Sequence, residues 1–280
     1  MTWSETTVKL AVSNLALPAY YHLGMLPYVH SLGVEGLEVV PAHTWPDRVT
    51  SRMVESYRAA VEGAELSVIG MHGLFRHRPD LGIFASGDKR ARSLELLVQL
   101  SAVTRDLGGR TLILESRWRN DIPEREAWLQ CRDFLHEVLP RIESHGTVLC
   151  FAPLTDGDFC RQARQCYMLT NAIDHDSFGL HLGAAALAAN GEMGHTTFAA
   201  VRGRLELVHL DEPGHAVLGS SNQVDHIDMR NHLAAITYKG WASLVQQTVP
   251  AAEPADSLRL GLRFFANSYM SNGARKGIRV

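Results

Sequence analysis

A chain of 280 residues with 46% hydrophobic and 20% charged residues suffices for one large α/β domain and is short for two. Its net charge of −3 argues against a nucleic-acid partner, which needs a strong basic face, and no apolar run nears the ~20 residues that cross a bilayer. The opening Met1–Thr7 lacks a basic region followed by an apolar stretch, so no signal peptide is expected. Four cysteines without a CxxC pair read as the reduced thiols of a cytoplasmic protein.

Short β-branched or leucine-rich runs alternate with longer amphipathic stretches from end to end. The first strand is expected over Val8–Asn14, followed by a weak helical pattern over Leu23–Leu32 that Gly33 stops. Gly33–Pro41 reads as the second strand. Residues 50–63 carry helical spacing through Met53, Tyr57 and Val61, and Leu66–His72 is the third strand. A strong helix over Arg90–Leu107 ends at Gly108 and Gly109, ahead of a fourth strand at Arg110–Glu115. Another helix over Glu124–Ser144 closes at Gly146, before the fifth strand at Thr147–Phe151. The sixth strand is Phe178–Leu182, the seventh Leu205–His209 and the eighth Trp241–Val245, with a helix over Asp228–Ile236 leading into the last. Residues 256–270 form a final amphipathic helix that would cover the outside.

Eight short apolar strands separated by helices imply parallel strands joined by right-handed crossovers. An open doubly wound sheet would alternate in the same way. The absence of a phosphate-binding GxGxxG after the first strand favours closure into a (β/α)8 TIM barrel, a single domain spanning 1–280 with a C-terminal covering helix.

In such barrels the chemistry sits on the loops after each strand, so the polar residues there are the candidates. The first strand delivers Ser13 and Asn14, the second Glu38 and then His43. The third delivers His72 with Arg76 beyond it, and the fourth Glu115, Arg117, Arg119 and Asn120. His181 ends the sixth strand. His209, Asp211, Glu212 and His215 follow the seventh, and Gln246 and Gln247 the eighth. Taken singly, each has an ordinary reading. A histidine at a strand end is often a hydrogen-bonded wall residue, the arginines serve equally as solvated loop residues, and His215 and His226 read first as loop residues. Glu38 and Glu115, however, lie within apolar strands, where an unpaired carboxylate is costly to bury. Together these groups make a polar mouth, the default ligand site of a barrel.

Several of these segments resemble the sugar phosphate isomerase/epimerase proteins of the xylose-isomerase-like TIM-barrel superfamily. They are Lys9–Leu15 with Gly33–Ala42, Val68–Phe75, Leu182–Glu192, Val208–Gly219 and Tyr238–Leu244, of which the His-x-x-Glu-Pro run at His209 is the most specific. The resemblance implies a divalent cation held by Glu, Asp, His and Glu at the ends of strands five to eight. Here those positions read Ala152, Gly183, His209 and Val245, so the expectation is no metal and no other cofactor, unless Glu115, Asp211 or Glu212 rebuild a site.

Without the cation, proton transfer next to a carbonyl of a sugar-like small molecule needs other groups to stabilise the oxyanion. His72, His181, His209, Arg117 and Arg119 are candidates. Glu212, which matches the family's Glu-Pro segment, is the first choice for the acid/base, and Glu115 the second. The catalytic set is therefore Glu212, His209, Glu115 and His72. The substrate-binding set is Asn14, Glu38, Arg117, Arg119, Asn120, His181, His215 and Gln246. A Schiff base is disfavoured because none of the four lysines, Lys9, Lys89, Lys239 and Lys276, falls at a strand's C-terminal end. A barrel that binds a metabolite or partner protein without turnover is the alternative. A nuclease of the related DNA-repair barrels fails on charge and on missing zinc ligands. Barrels of this kind are often homo-oligomers, and the sequence leaves the oligomeric state open.

Overall fold

A computed structural model describes residues 8–115, 118–119, 121–247 and 253–270. Arg117, Asn120 and Lys276 lie outside the described residues. The strands are β1 Lys9–Ser13, β2 Gly36–Val39, β3 Ser67–Met71, β4 Thr111–Leu114, β5 Val148–Phe151, β6 Phe178–Gly183, β7 Leu205–Asp211 and β8 Trp241–Val245. Each pairs in parallel with the next, and β8 returns to β1 through Leu10↔Ala242 and Val12↔Leu244, so the sheet is a closed eight-stranded barrel.

The helices between strands are α1 His22–Ser31, α2 Pro41–Thr44, α3 Ser51–Gly63, α4 Gly87–Asp106 and α5 Glu124–Ile142. They continue with α6 Ala163–Ile173, α7 Ala184–Ala189, α8 His195–Val201, α9 His226–Ala235 and α10 Pro254–Tyr269. Four of these, α2, α6, α7 and α8, are not among the elements expected from sequence. In α6 the buried residues Ala163, Cys166, Leu169, Thr170 and Ile173 do fall at helical spacing, so this helix carries a signal that the sequence reading overlooked. In α7 nearly every residue is alanine. Strands six and seven run on to Gly183 and Asp211, past the expected ends.

Alternation along the strands splits the apolar residues into two sets. Ala11, Ile69, Ile113, Val148, Cys150 and Leu207 fill the inside of the barrel, with Trp241 packed against them. A much larger cluster, including Leu37, Met71, Leu114, Phe151 and Leu244, packs the outer face of the barrel against the helices. The expected covering helix closes the circuit: Leu258, Leu262, Phe265 and Tyr269 of α10 are buried at helical spacing. Gly70 shows how closely the strands approach, since a Cβ there would stand 2.2 Å from the carbonyl oxygen of Thr111. All four cysteines are buried. Among the described residues no helix is long and apolar enough to cross a membrane.

Two breaks in register shape the upper end of the barrel. One falls between Leu37 and Glu38 against β3, the other between Leu180 and His181 against β7. Bulges re-aim the side chains beside them. Here they sit immediately before a buried carboxylate and a buried imidazole.

Candidate functional site

Above the apolar filling, the inward positions turn polar. Ser13, Glu38, His72, His181, His209 and Ser243 are all buried at the C-terminal ends of their strands. Glu38 and His209 meet across the barrel, with His209 Nε2 at 3.0 and 2.9 Å from the two carboxylate oxygens. The His181 ring packs edge-on against His209 with centroids 4.0 Å apart, and the His72 ring does the same at 5.1 Å. Ser13 Oγ lies 2.7 Å from His72 Nε2.

The charges in this layer follow from their surroundings. Burial pushes the Glu38 carboxyl up, but the charges of His209 and His72 and the hydrogen bond from His209 outweigh it and hold the group at about 2. Burial also works against protonated His209, yet Glu38 and further carboxylates raise it above the ordinary value. The two therefore form an ion pair. Burial, helped by the neighbouring His209, takes His72 down to about 4 despite the pull of Glu38. One imidazolium is held in the layer, and the ring next to it stays neutral.

His72 also lines the cavity that opens above this layer. That cavity, about 270 Å³, is bounded by Leu15, His72, Gly73, Leu74, Phe75, Arg76, Glu115 and His215. Glu115 is exposed there and Arg76 stands on its rim. The expected residues His72, Glu115 and His215 thus share one cavity, with His209, Glu38 and His181 joined to it through the His72 ring. Arg76, which the sequence places beyond the third strand, belongs to neither the catalytic nor the substrate-binding set expected from sequence.

Other expected site residues are placed differently. Asn14 bridges two segments: its Nδ2 donates to Thr44 Oγ1 at 2.9 Å and its Oδ1 accepts from the Val40 amide at 2.9 Å. Gln246 turns toward α10, donating to the Ser257 carbonyl at 3.0 Å and accepting from the Leu218 amide at 3.3 Å. Arg119 is paired with Asp158, 3.5 Å from its Nε, and donates to the Ile122 carbonyl at 3.0 Å. Glu212 is buried among donors: the Gly219 amide at 2.8 Å, the Ser221 hydroxyl, and His226 Nε2 at 3.0 Å. It does not line the cavity. His226, read from sequence as a loop residue, is the buried first residue of α9.

Asp211 is the group that residue-type reasoning undervalued. It follows His209 by two and therefore shares its face of β7. Its Oδ1 accepts the Ala185 amide at 3.1 Å, and partial burial pushes its carboxyl up against the pull of His209. A Cβ on Gly183 would stand 3.5 Å from Asp211 Oδ1 and 3.5 Å from His181 Cε1.

The four positions that would cage a divalent cation are short of donors. Ala152, Gly183 and Val245 carry none, and the Nε2 of His209 is spent on Glu38. Among the described residues no three His, Cys, Asp or Glu side chains stand together as a metal site.

Comparison with known proteins places this geometry. Similar solved structures include an L-ribulose 3-epimerase, 18% identical over 96% of each chain with a TM-score of 0.77. Another is a 3-keto-D-glucoside 4-epimerase from E. coli, 17% identical over 92% of this chain and 100% of that one, TM-score 0.77. A D-psicose 3-epimerase determined in the presence of D-fructose is 12% identical over 94% of this chain and 99% of that one, TM-score 0.79. At such identities the likeness is one of fold. No curated protein matches the sequence. The profile of the xylose isomerase-like TIM barrel matches residues 26–268, and the chain belongs to that family.

Proposed function

We propose that this barrel is a sugar isomerase/epimerase-like enzyme that moves a proton beside the carbonyl of a sugar-like small molecule without a metal ion. The observation that carries the reading is a cavity at the strands' C-terminal ends, lined by Glu115, Arg76, His215 and His72 and backed by the Glu38–His209 ion pair. Buried titratable groups gathered around such a pocket cost stability and mark a site of chemistry. Epimerases of small sugars among the similar folds support the substrate class. The missing donors at Ala152, Gly183 and Val245 support chemistry that does not depend on a cation.

Proton abstraction and charge stabilisation fall to residues of this chain. Glu115 is the carboxylate exposed to the cavity, and it takes the proton from the carbon next to the carbonyl. The C–H electron pair moves toward the carbonyl oxygen, giving an enediolate. The Arg76 guanidinium and the field of protonated His209 offset the developing negative charge. His72, neutral because of its burial, hydrogen-bonds the substrate as an imidazole. Return of the proton from Glu115 to the adjacent carbon, with the hydroxyl proton passing between the two oxygens, completes an isomerisation; protonation of the same carbon by water on the opposite face completes an epimerisation. Glu212, the first choice from sequence, spends its oxygens on three donors, so the proton passes to Glu115 in this scheme.

The test is deuterium incorporation at carbon in D₂O across a panel of ketoses. The wild-type protein is expected to exchange at least one of them. Glu115→Gln is expected to lower that rate about 10²–10⁴-fold, the usual worth of a positioned acid/base. An unchanged rate removes Glu115 from the role. The alternative, a barrel that binds without turnover, draws on the fact that His72 and His209 each have Nε2 engaged internally, by Ser13 and Glu38. A sugar that binds by calorimetry yet never exchanges would establish it.

A further inference from the structure

The segment from Glu212 to Ser221 carries His215 to the cavity, and an unusual number of groups fix it. The His215 backbone is left-handed, with φ +54, a conformation that a non-glycine residue keeps only when its surroundings over-determine it. Its amide donates to the Glu212 carbonyl at 2.9 Å, and its own carbonyl accepts the Gln247 amide at 2.8 Å. Further along, Gly219 takes φ +80 with the Phe264 ring lying over it, leaving no room for a Cβ. His215 Nδ1 is buried with no hydrogen-bond partner among the described residues. An unsatisfied buried nitrogen on a strained, clamped loop calls for an explanation other than stability.

The clamp extends outward as a chain of hydrogen bonds. Glu212 accepts from the Gly219 amide and the Ser221 hydroxyl on the loop, and from His226 Nε2 at 3.0 Å on α9. His226 Nδ1 in turn lies 2.7 Å from the Tyr269 hydroxyl on α10. One proton arrangement satisfies every member: the Tyr269 O–H donates to Nδ1, and Nε2–H donates to the Glu212 carboxylate. Burial lowers the His226 pKa, consistent with this neutral ring. All of these residues are buried or nearly so, and none lines the cavity.

We propose that Glu212, His226 and Tyr269 form a positioning chain that fixes the loop and holds the His215 imidazole in place as a substrate-contacting wall of the cavity. This rests on the reading of that cavity as the substrate site. In this account Glu212 is a positioning residue, acting through the loop and not on the substrate. Helices α9 and α10, on the outside of the barrel, thereby set the geometry of one side of the mouth.

Tyr269→Phe deletes only the phenol oxygen and keeps the ring stacked on Phe265, whose centroid is 5.4 Å away. Tyr238→Phe is the control. It removes another largely buried hydroxyl, bonded to the Trp241 carbonyl at 2.9 Å at the opposite end of the barrel. The measurements are amide hydrogen exchange and the ring resonances of His215 in histidine-labelled protein, with no sugar added. In Tyr269→Phe, exchange at Leu218, Gly219 and Gln247 is expected to rise tenfold or more and the His215 ring signals to shift or split. Strand amides such as that of Ile113 should change no more than in Tyr238→Phe. Loop exchange and His215 signals indistinguishable from those of the control would overturn the proposal. If Tyr269→Phe does not fold, Ser221→Ala cuts the chain at its loop end and carries the same two readouts. Because neither readout needs turnover, failure here is separable from failure of the deuterium assay.

Discussion

Glu38, a fully buried carboxylate on a barrel strand, is tolerated only because His209 meets both of its oxygens. Its folded pKa of about 2 lies below the ordinary 4.5, so the ionised form is favoured by folding. That contribution is complete above about pH 4.5 and is lost as the pH falls toward 2; its size is about 3 kcal/mol. His72 adds a second acid-sensitive step. Its folded pKa of about 4 lies under the ordinary 6.5, so its share is complete above 6.5 and disappears as the pH falls through 4. His209 is raised and works the other way, its share being present below 6.5 and lost as the pH climbs through the folded value. Denaturant unfolding should therefore show stability falling on acidification from pH 6.5 to pH 2. Glu38→Gln should be about 3 kcal/mol less stable than wild type near pH 6, with the gap closing toward pH 2. A gap that stays constant over that range would mean the carboxylate is not charged in the folded protein.

At the scale of elements, α6 shows how a helix start is specified by a group distant in sequence. Its N-terminal amides are met by a carboxylate from 28 residues or more downstream. Glu192 accepts from the Ala163 amide at 2.7 Å and from the Arg164 amide at 3.3 Å. This satisfies two orphan donors and places negative charge at the positive end of the helix dipole. Glu192→Ala should cost about 1 kcal/mol in urea unfolding, and Glu192→Gln less, since an amide keeps one of the two acceptor oxygens but not the charge. Equal losses would assign the whole effect to the charge. All eight strands were legible because their apolar runs are dense, whereas α7 is nearly all alanine and carries little periodic signal. The buried face of α6 does fall at helical spacing and was open to a sequence reading that overlooked it. The candidate site was legible as a set of residue types at strand ends, but not which way each one points. Some of that direction was available: alternation from His209 puts Asp211 on the inside, and alternation from Ser243 puts Val245 inside and Gln246 outside. The clamp roles of Asn14 and Glu212 were not available, because they depend on partners at Thr44, Val40, His226 and Tyr269 that only the folded chain brings near.

For the whole molecule, closure of the sheet separates a dry lower barrel, filled by Ala11, Ile69, Ile113, Val148 and Leu207, from a polar upper layer. The cation site that the family resemblance implies falls in that upper layer, at the ends of β5 to β8. Three of those ends are Ala152, Gly183 and Val245, while the fourth side chain, His209, is turned onto Glu38 and carries a proton that a metal would have to displace. Asp211 and His181 stand near Gly183 but without the further carboxylates that a hard cation requires. The expectation can be put in numbers. A resident cation present at a hundred times its Kd would stabilise the folded state by about 2.7 kcal/mol. In a chain of this size that corresponds to a rise in Tm of about 5 °C or more. Thermal unfolding of metal-stripped protein should therefore be the same, to within about 1 °C, with EDTA, Mg²⁺ or Mn²⁺ added, well inside that margin. In the proposed scheme ketose exchange should survive the chelator as well, since there Arg76 and His209 meet the developing charge. A Tm that climbs by several degrees with one of these cations, or near-stoichiometric metal carried through purification, would mean that the upper layer rearranges to build a cage, and the proton-transfer scheme would have to be redrawn around it.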